Sequence, residues 1–75
     1  MVVEDRHEFQ EGQRVRVRVG GGDPPTRPDE TLLGQVGTIL RWSQKDLASS
    51  LVTAWMVDFD SGVVDQISPD WLERT

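Results

Sequence analysis

Thr53-Ala54-Trp55-Met56-Val57-Asp58-Phe59-Asp60-Ser61-Gly62-Val63-Val64-Asp65-Gln66-Ile67 is the stretch on which the fold turns. Trp55, Val57 and Phe59 alternate with Met56, Asp58 and Asp60, the period-two pattern of a strand with one face on a core and the other in water. Asp60, Ser61 and Gly62 then turn the chain, because these residue types tolerate turn geometry and glycine takes a positive φ at little cost. A second strand returns through Val63–Ile67. A hairpin of this size cannot bury its own rings and aliphatic side chains, so further strands must cover it.

The chain has 75 residues, one domain near the lower size limit for a self-sufficient core, and it has no cysteine to add a disulfide or a thiolate metal site. Self-association is the remaining common support for a β domain this small. Thirteen acidic and eight basic residues give a formal charge of −5, which argues against a dedicated polyanion binder. No apolar run approaches membrane-spanning length, and residues 1–8 lack the cationic and apolar regions of a signal peptide, so a cytoplasmic location is the expectation.

Residues 1–8 are charged and aperiodic and read as a mobile tail, leaving 9–75 as the domain. Arg14-Val15-Arg16-Val17-Arg18-Val19 predicts the first strand, three valines inward and three arginines outward. Gly20–Asp29, rich in glycine and proline, is a long loop. Leu32–Trp42 reads as the second strand, with Gly34 and Gly37 marking a bulge or a close backbone approach. Ser43–Ser50 reads as a polar connection before Leu51–Phe59. Ser68-Pro69-Asp70-Trp71 predicts one helical turn with Ser68 as N-cap and Pro69 in the first helical position, and Leu72–Arg74 a brief last strand. The expected fold is all-β, a five-stranded SH3-like barrel with a long first loop and a short 3₁₀ turn before the last strand. A five-stranded oligonucleotide-binding barrel is the runner-up and ordinarily needs a longer chain.

Gly12-Gln13-Arg14-Val15-Arg16, Gly34-Gln35-Val36-Gly37, Gln66-Ile67-Ser68-Pro69 and Leu72-Glu73-Arg74 together resemble the type II, trimethoprim-insensitive dihydrofolate reductases encoded on plasmids. That resemblance implies an SH3-like barrel assembled as a homotetramer around a central pore where NADPH and dihydrofolate meet, with Gln66 and Ile67 matching pore residues and Val64 and Ser68 beside them. Ser68 stands where that family has a tyrosine, Asp65 where it has a valine and Val17 where it has a lysine. A lost cation and an added carboxylate both oppose a polyanionic cofactor.

Phe9-x-x-Gly12-x-Arg14-Val15-Arg16-Val17, Pro25-Thr26-Arg27, Gly34-x-x-Gly37-x-Ile39 and Asp70-x-Leu72-Glu73 are also similar to the carboxyl-terminal barrel of nitrile hydratase β subunits, which implies a scaffold without metal ligands. The Gly-x-x-Gly-x-Ile spacing looks like the KOW-type barrels of ribosomal and transcription proteins, which implies nucleic-acid binding. Such motifs follow the bends of a small barrel and speak to fold more than activity.

Arg14, Arg16 and Arg18 could form an anion-binding stripe, since alternate strand residues project to one face; the plainer reading pairs them with carboxylates such as Asp58 and Asp60. Asp58 and Asp60 have the spacing of a carboxylate pair, but no sugar cleft accompanies them. Asp58-x-Asp60-x-Gly62 lacks the glycine position and closing glutamate of a calcium loop. The lone histidine, His7, offers little to a metal site, so none is expected. Gly20-Gly21-Gly22 runs toward proline instead of a helix, which removes the basis of a phosphate-cradling loop.

Trp55 fits the core by parity, Trp71 fits a plug over one end, and Trp42 is a candidate protomer or peptide contact. If Ile67 faces the core, Gln66 points outward, either to a ligand, to its symmetry mates or simply to water. The expected function is a non-catalytic assembly or binding module that self-associates or takes a protein partner, without a cofactor. A divergent NADPH-dependent reductase is the first alternative and a KOW-like nucleic-acid binder the second.

Overall fold

The structure, a computed structural model, describes residues 9–22, 24–47 and 50–75. The predicted tail at 1–8, with His7, lies outside them. The protein is all-β: β1 (Arg14–Val17), β2 (Val36–Leu47), β3 (Ser50–Phe59), β4 (Val64–Ile67) and β5 (Leu72–Arg74) form one antiparallel sheet in the order β4-β3-β2-β1-β5. Single 3₁₀ turns occupy Pro24–Thr26, Glu30–Leu32 and Pro69–Trp71. Among the described residues no helix is long and apolar enough to cross a membrane.

The decisive stretch behaves as its alternation requires. Trp55, Val57 and Phe59 are buried, Asp58 and Asp60 are exposed, and the three-residue turn Asp60–Gly62 closes with Phe59 N–H donating to Val63 O at 2.8 Å and Gly62 at φ +98°. Val15 and Val17 of β1, Leu32, Ile39 of β2, Ile67 of β4, and Trp71 and Leu72 complete the core, with Phe9 and Leu33 packed against it. Each buried aliphatic or aromatic side chain contributes about 1.5–3 kcal/mol. Trp71 is buried, its indole Nε1 donating to Thr26 Oγ1 at 3.2 Å and its ring lying where a Cβ on Gly22 would be.

Several boundaries differ from the sequence expectation, each for a local reason. Val19 is 73% exposed, so only two of the three valines enter the core. Pairing with β2 stops where Val17 N–H donates to Gln35 O and Gly34 N–H to Val17 O; Arg18 N–H then turns to Trp71 O, and the chain leaves the sheet. Leu32 belongs to a 3₁₀ turn capped by Asp29, whose carboxylate accepts from Thr31 N at 3.0 Å, so β2 begins only at Val36. That backbone hydrogen bond, with another from the Thr31 hydroxyl, holds the Asp29 carboxyl below its ordinary pKa.

The expected polar connection over Ser43–Ser50 is strand through Leu47 and again from Ser50, paired from Arg41↔Met56 to Leu47↔Ser50. Past Ala54 the described ribbon residues Val52, Thr53, Gln44, Lys45 and Asp46 are exposed or half-buried, and such a ribbon does not need the apolar alternation that marks a core strand. A register shift lies in β2, between Ile39 and Arg41, in the strand for which the sequence predicts a bulge or a close backbone approach. β4 pairs regularly from Asp58↔Val64 to Trp55↔Ile67, and half-buried Asp65 is accommodated by accepting from Gln66 N–H at 2.7 Å. Ser68 is the N-cap of the last 3₁₀ turn by position, with Pro69 following, but makes no side-chain cap hydrogen bond.

Gly37 stands opposite both Val15 of β1 and Phe59 of β3, where it leaves no room for a side chain. A Cβ there would stand 2.7 Å from Asp58 O, 2.8 Å from Val57 Cγ1 and 2.9 Å from Phe59 Cα. Two of these are backbone atoms of a paired strand and cannot swing aside. Gly37→Ala is therefore expected to lower unfolding free energy by about 1–3 kcal/mol, read from urea denaturation; an unchanged midpoint would show that β2 and β3 can separate without cost.

Candidate functional site

The sheet places the sequence-selected residues in three settings. The first is the outer face of β1. Arg14 and Arg16 are exposed there, as alternation predicts, but each faces a carboxylate. Arg14 grips Asp60 bidentately, Nη1 to Oδ1 at 2.8 Å and Nη2 to Oδ2 at 2.6 Å, and also donates to Thr38 Oγ1. Arg16 Nη1 lies 3.6 Å from Glu73 Oε2 of β5, its cross-strand partner. Arg18 departs from the stripe: half-buried, it folds over Gly21 and donates to Asp70 O at 3.1 Å. The three guanidiniums thus tie β1 to its surroundings and do not converge on one anion site.

The hydrogen bonds from Arg14, reinforced by its charge, hold the Asp60 carboxyl below its ordinary pKa and raise that of Arg14. The sign follows directly. A carboxyl with a depressed folded pKa adds stability at pH values above its unfolded pKa of about 4, and that stability is lost as pH falls through the folded value.

The second setting is β4. Val64 is 52% exposed, while Ile67 is 1% and Ser68 6% exposed, so the four candidate pore residues do not share one accessible face. Gln66 is half-buried, and its amide Nε2 donates to Ser43 Oγ at 2.7 Å and to Gln44 O at 2.9 Å. Both amide hydrogens are thereby used within the chain. β3 lies between β4 and β2, so this side chain crosses β3 at Ala54, the fully buried cross-strand partner of Ser43. Gln66 is a strap across three strands, a role not visible from its own strand because Ser43 lies in a segment that reads as a loop.

The third setting is the β2–β3 hairpin. Trp42 sits opposite Trp55, yet only Trp55 is covered: Trp42 is 48% exposed, Leu40 at the bulge is exposed, and Leu51 is 65% exposed. Phe9 meets Trp55 edge-on, ring centroids 6.3 Å apart, with the Arg74 guanidinium 6.0 Å from the Phe9 centroid on its other contact. Buried Trp55 Nε1 has no hydrogen-bond partner among the described residues. Sequence reasoning singled out Trp42 but missed Leu40 and Leu51. The available signal was that apolar Leu51 and Val52 precede a core strand while their β2 partners, Asp46 and Lys45, are charged.

An open depression of about 480 Å³ lies elsewhere, between Gln10, Glu11, Gly12, Gln13 and Arg74. Among the described residues no group of His, Cys, Asp or Glu is arranged to hold a metal ion. Compared with protein-family models, with curated proteins and with solved structures, the chain matches none.

Two outcomes are expected from these ties. In an NMR pH titration the Asp60 carboxyl has a midpoint below that of an ordinary aspartate, and Arg14→Gln returns it to the ordinary range. Gln66→Ala removes the strap and lowers stability by about 1 kcal/mol per hydrogen bond lost, measured by chemical denaturation. A neutral Gln66→Ala would show that Ser43 and Gln44 are equally well served by water.

Proposed function

We propose that this chain is a small non-catalytic binding or assembly module, built as an SH3-like barrel, and that it self-associates. The strand order β4-β3-β2-β1-β5, the long connection between β1 and β2 and the 3₁₀ turn directly before β5 support that architecture. The observation that carries the function is the gathering of exposed Leu40, Trp42 and Leu51 on one hairpin, in a chain too small to leave large apolar side chains in water without consequence.

The other settings support the same reading. A nicotinamide-dependent reductase would draw on Gln66, Ile67 and Ser68, but the Gln66 amide is committed to Ser43 and Gln44, and Ile67 and Ser68 are buried. Val17, which stands where the resembling reductases have their lysine, is a fully buried core residue. These residues do not fit an NADPH site. For nucleic acid, two of the three arginines of the first strand face carboxylates and the net charge is −5, so little attraction for phosphate is left.

Light scattering coupled to gel filtration tests the proposal. The expected result is a concentration-dependent mass above the 8.5 kDa of one chain, with no NADPH oxidation in the presence of dihydrofolate. A mass that stays at one chain across the accessible concentration range would overturn self-association.

A further inference from the structure

The hairpin that carries Trp42 and Leu51 extends past every other strand of the sheet. β1 pairs with β2 only over Val36–Thr38, and β4 pairs with β3 only over Trp55–Asp58. Beyond those limits Gly12 and Gln13 still bond Ile39, and the Gln66 side chain reaches Ser43 and Gln44, but among the described residues no further strand pairs with β2 or β3. Two-stranded ribbons are marginal in water, and their edges present unpaired N–H and C=O groups.

The direction of those groups follows from one hydrogen bond. Phe59 N–H donates to Val63 O, so Phe59 points its backbone groups toward β4. Alternation along β3 then sends those of Val57, Trp55, Thr53 and Leu51 the same way. Asp65 and Ile67 stand opposite Val57 and Trp55. Among the described residues no strand stands opposite Thr53 or Leu51 on that side.

The exposed edges of the sheet differ in their protection. On β4, Gln66 N–H is already taken by the Asp65 carboxylate. On β2, the projecting part carries Lys45 and Asp46. On β3, the run Ser50-Leu51-Val52-Thr53-Ala54 has no charge, proline or bulge, and so none of the usual devices that stop one edge from pairing with another.

We infer that the unpaired edge of β3 at Leu51–Thr53 is the surface through which two copies of this chain associate, pairing antiparallel about a two-fold axis at Val52. The inference rests on the self-association proposed above and names its surface. The run is self-complementary in this register: Leu51 faces the partner's Thr53, each exchanging N–H···O bonds with the other, and Val52 faces its own symmetry mate with no charge opposed. The side chains of Leu51 and Thr53 share a sheet face with Trp42, because Asp46↔Leu51, Gln44↔Thr53 and Trp42↔Trp55 are successive same-face pairs. Pairing therefore builds a four-stranded ribbon in which Leu51 of each copy lies on the face that carries Trp42.

Sedimentation equilibrium of the full chain is the test, with four variants. Thr53→Pro removes an N–H that β2 does not use and is expected to weaken the dimer about tenfold or more, since the two-fold axis counts each change twice. Val52→Lys and Val52→Glu each place like charges face to face and are expected to be monomeric alone but to form a mixed dimer when combined. That rescue also shows that both variants fold. Val19→Ser, at an exposed position outside the hairpin, is expected to leave the dimer intact. In the wild type, amide exchange of Leu51 and Thr53 slows as concentration rises.

A dimer unaffected by Thr53→Pro, or a Lys/Glu mixture that stays monomeric while each variant keeps its folded spectrum, overturns this surface and leaves self-association standing. A wild-type chain that is monomeric throughout overturns both. Binding of some other protein at Leu51–Thr53, with no dimer, also overturns it.

Discussion

Everything in this sheet depends on how closely β2 can approach its neighbours at Gly37. β2 is the central strand, paired on both sides at Gly37 and Thr38, with Gly37 facing Val15 of β1 and Phe59 of β3. The missing side chain brings Asp58 O and Phe59 Cα within a distance that no Cβ tolerates. That contact sets the spacing at which Val15, Val57 and Phe59 meet, all of them almost wholly buried. The core is therefore fixed by a backbone constraint first and filled by side chains second. A small domain has few residues with which to correct a misplaced strand.

The polar side chains serve the same frame. Arg14, Arg16 and Arg18 hold β1 to the β3 turn, to β5 and to the last 3₁₀ turn respectively, and Gln66 straps β4 to β2 across Ala54. Groups whose chemistry could serve a ligand are turned inward to their own chain. The apolar side chains, by contrast, are not all retained: Leu40, Trp42 and Leu51 remain in solvent on the hairpin. This contrast, with these polar side chains engaged by their own chain and apolar ones left in solvent, is what the proposed self-association rests on.

Much of this was legible in the sequence where one face is buried and the other is wet. Trp55, Val57 and Phe59, and Val15 and Val17, announce their faces by alternation, and Pro69 announces the turn before β5. Legibility failed where burial does not impose a period. Ser43–Leu47 is strand because β3 lies beside it, not because of its own composition, and Val19 leaves the core because Arg18 is drawn to Trp71. The strap from Gln66 needed both its ends to be seen as strands. The arginine pairs were half legible: Asp60 was foreseeable as a partner for Arg14, whereas Glu73 opposite Arg16 required the register of β5.

Asp65 has a consequence for how far an assembly could grow. A sheet with two open edges can add copies at both and lengthen without limit, which is the route to fibres. Here the carboxylate of Asp65 occupies Gln66 N–H on β4, and the edge at β5 is only three residues long with Glu73 held by Arg16. Among the described residues one uncharged edge remains, at Leu51–Thr53, and the two-fold pairing proposed above would consume it in both copies at once. Such an arrangement is self-terminating: stoichiometry is limited by which backbone groups a side chain has already taken.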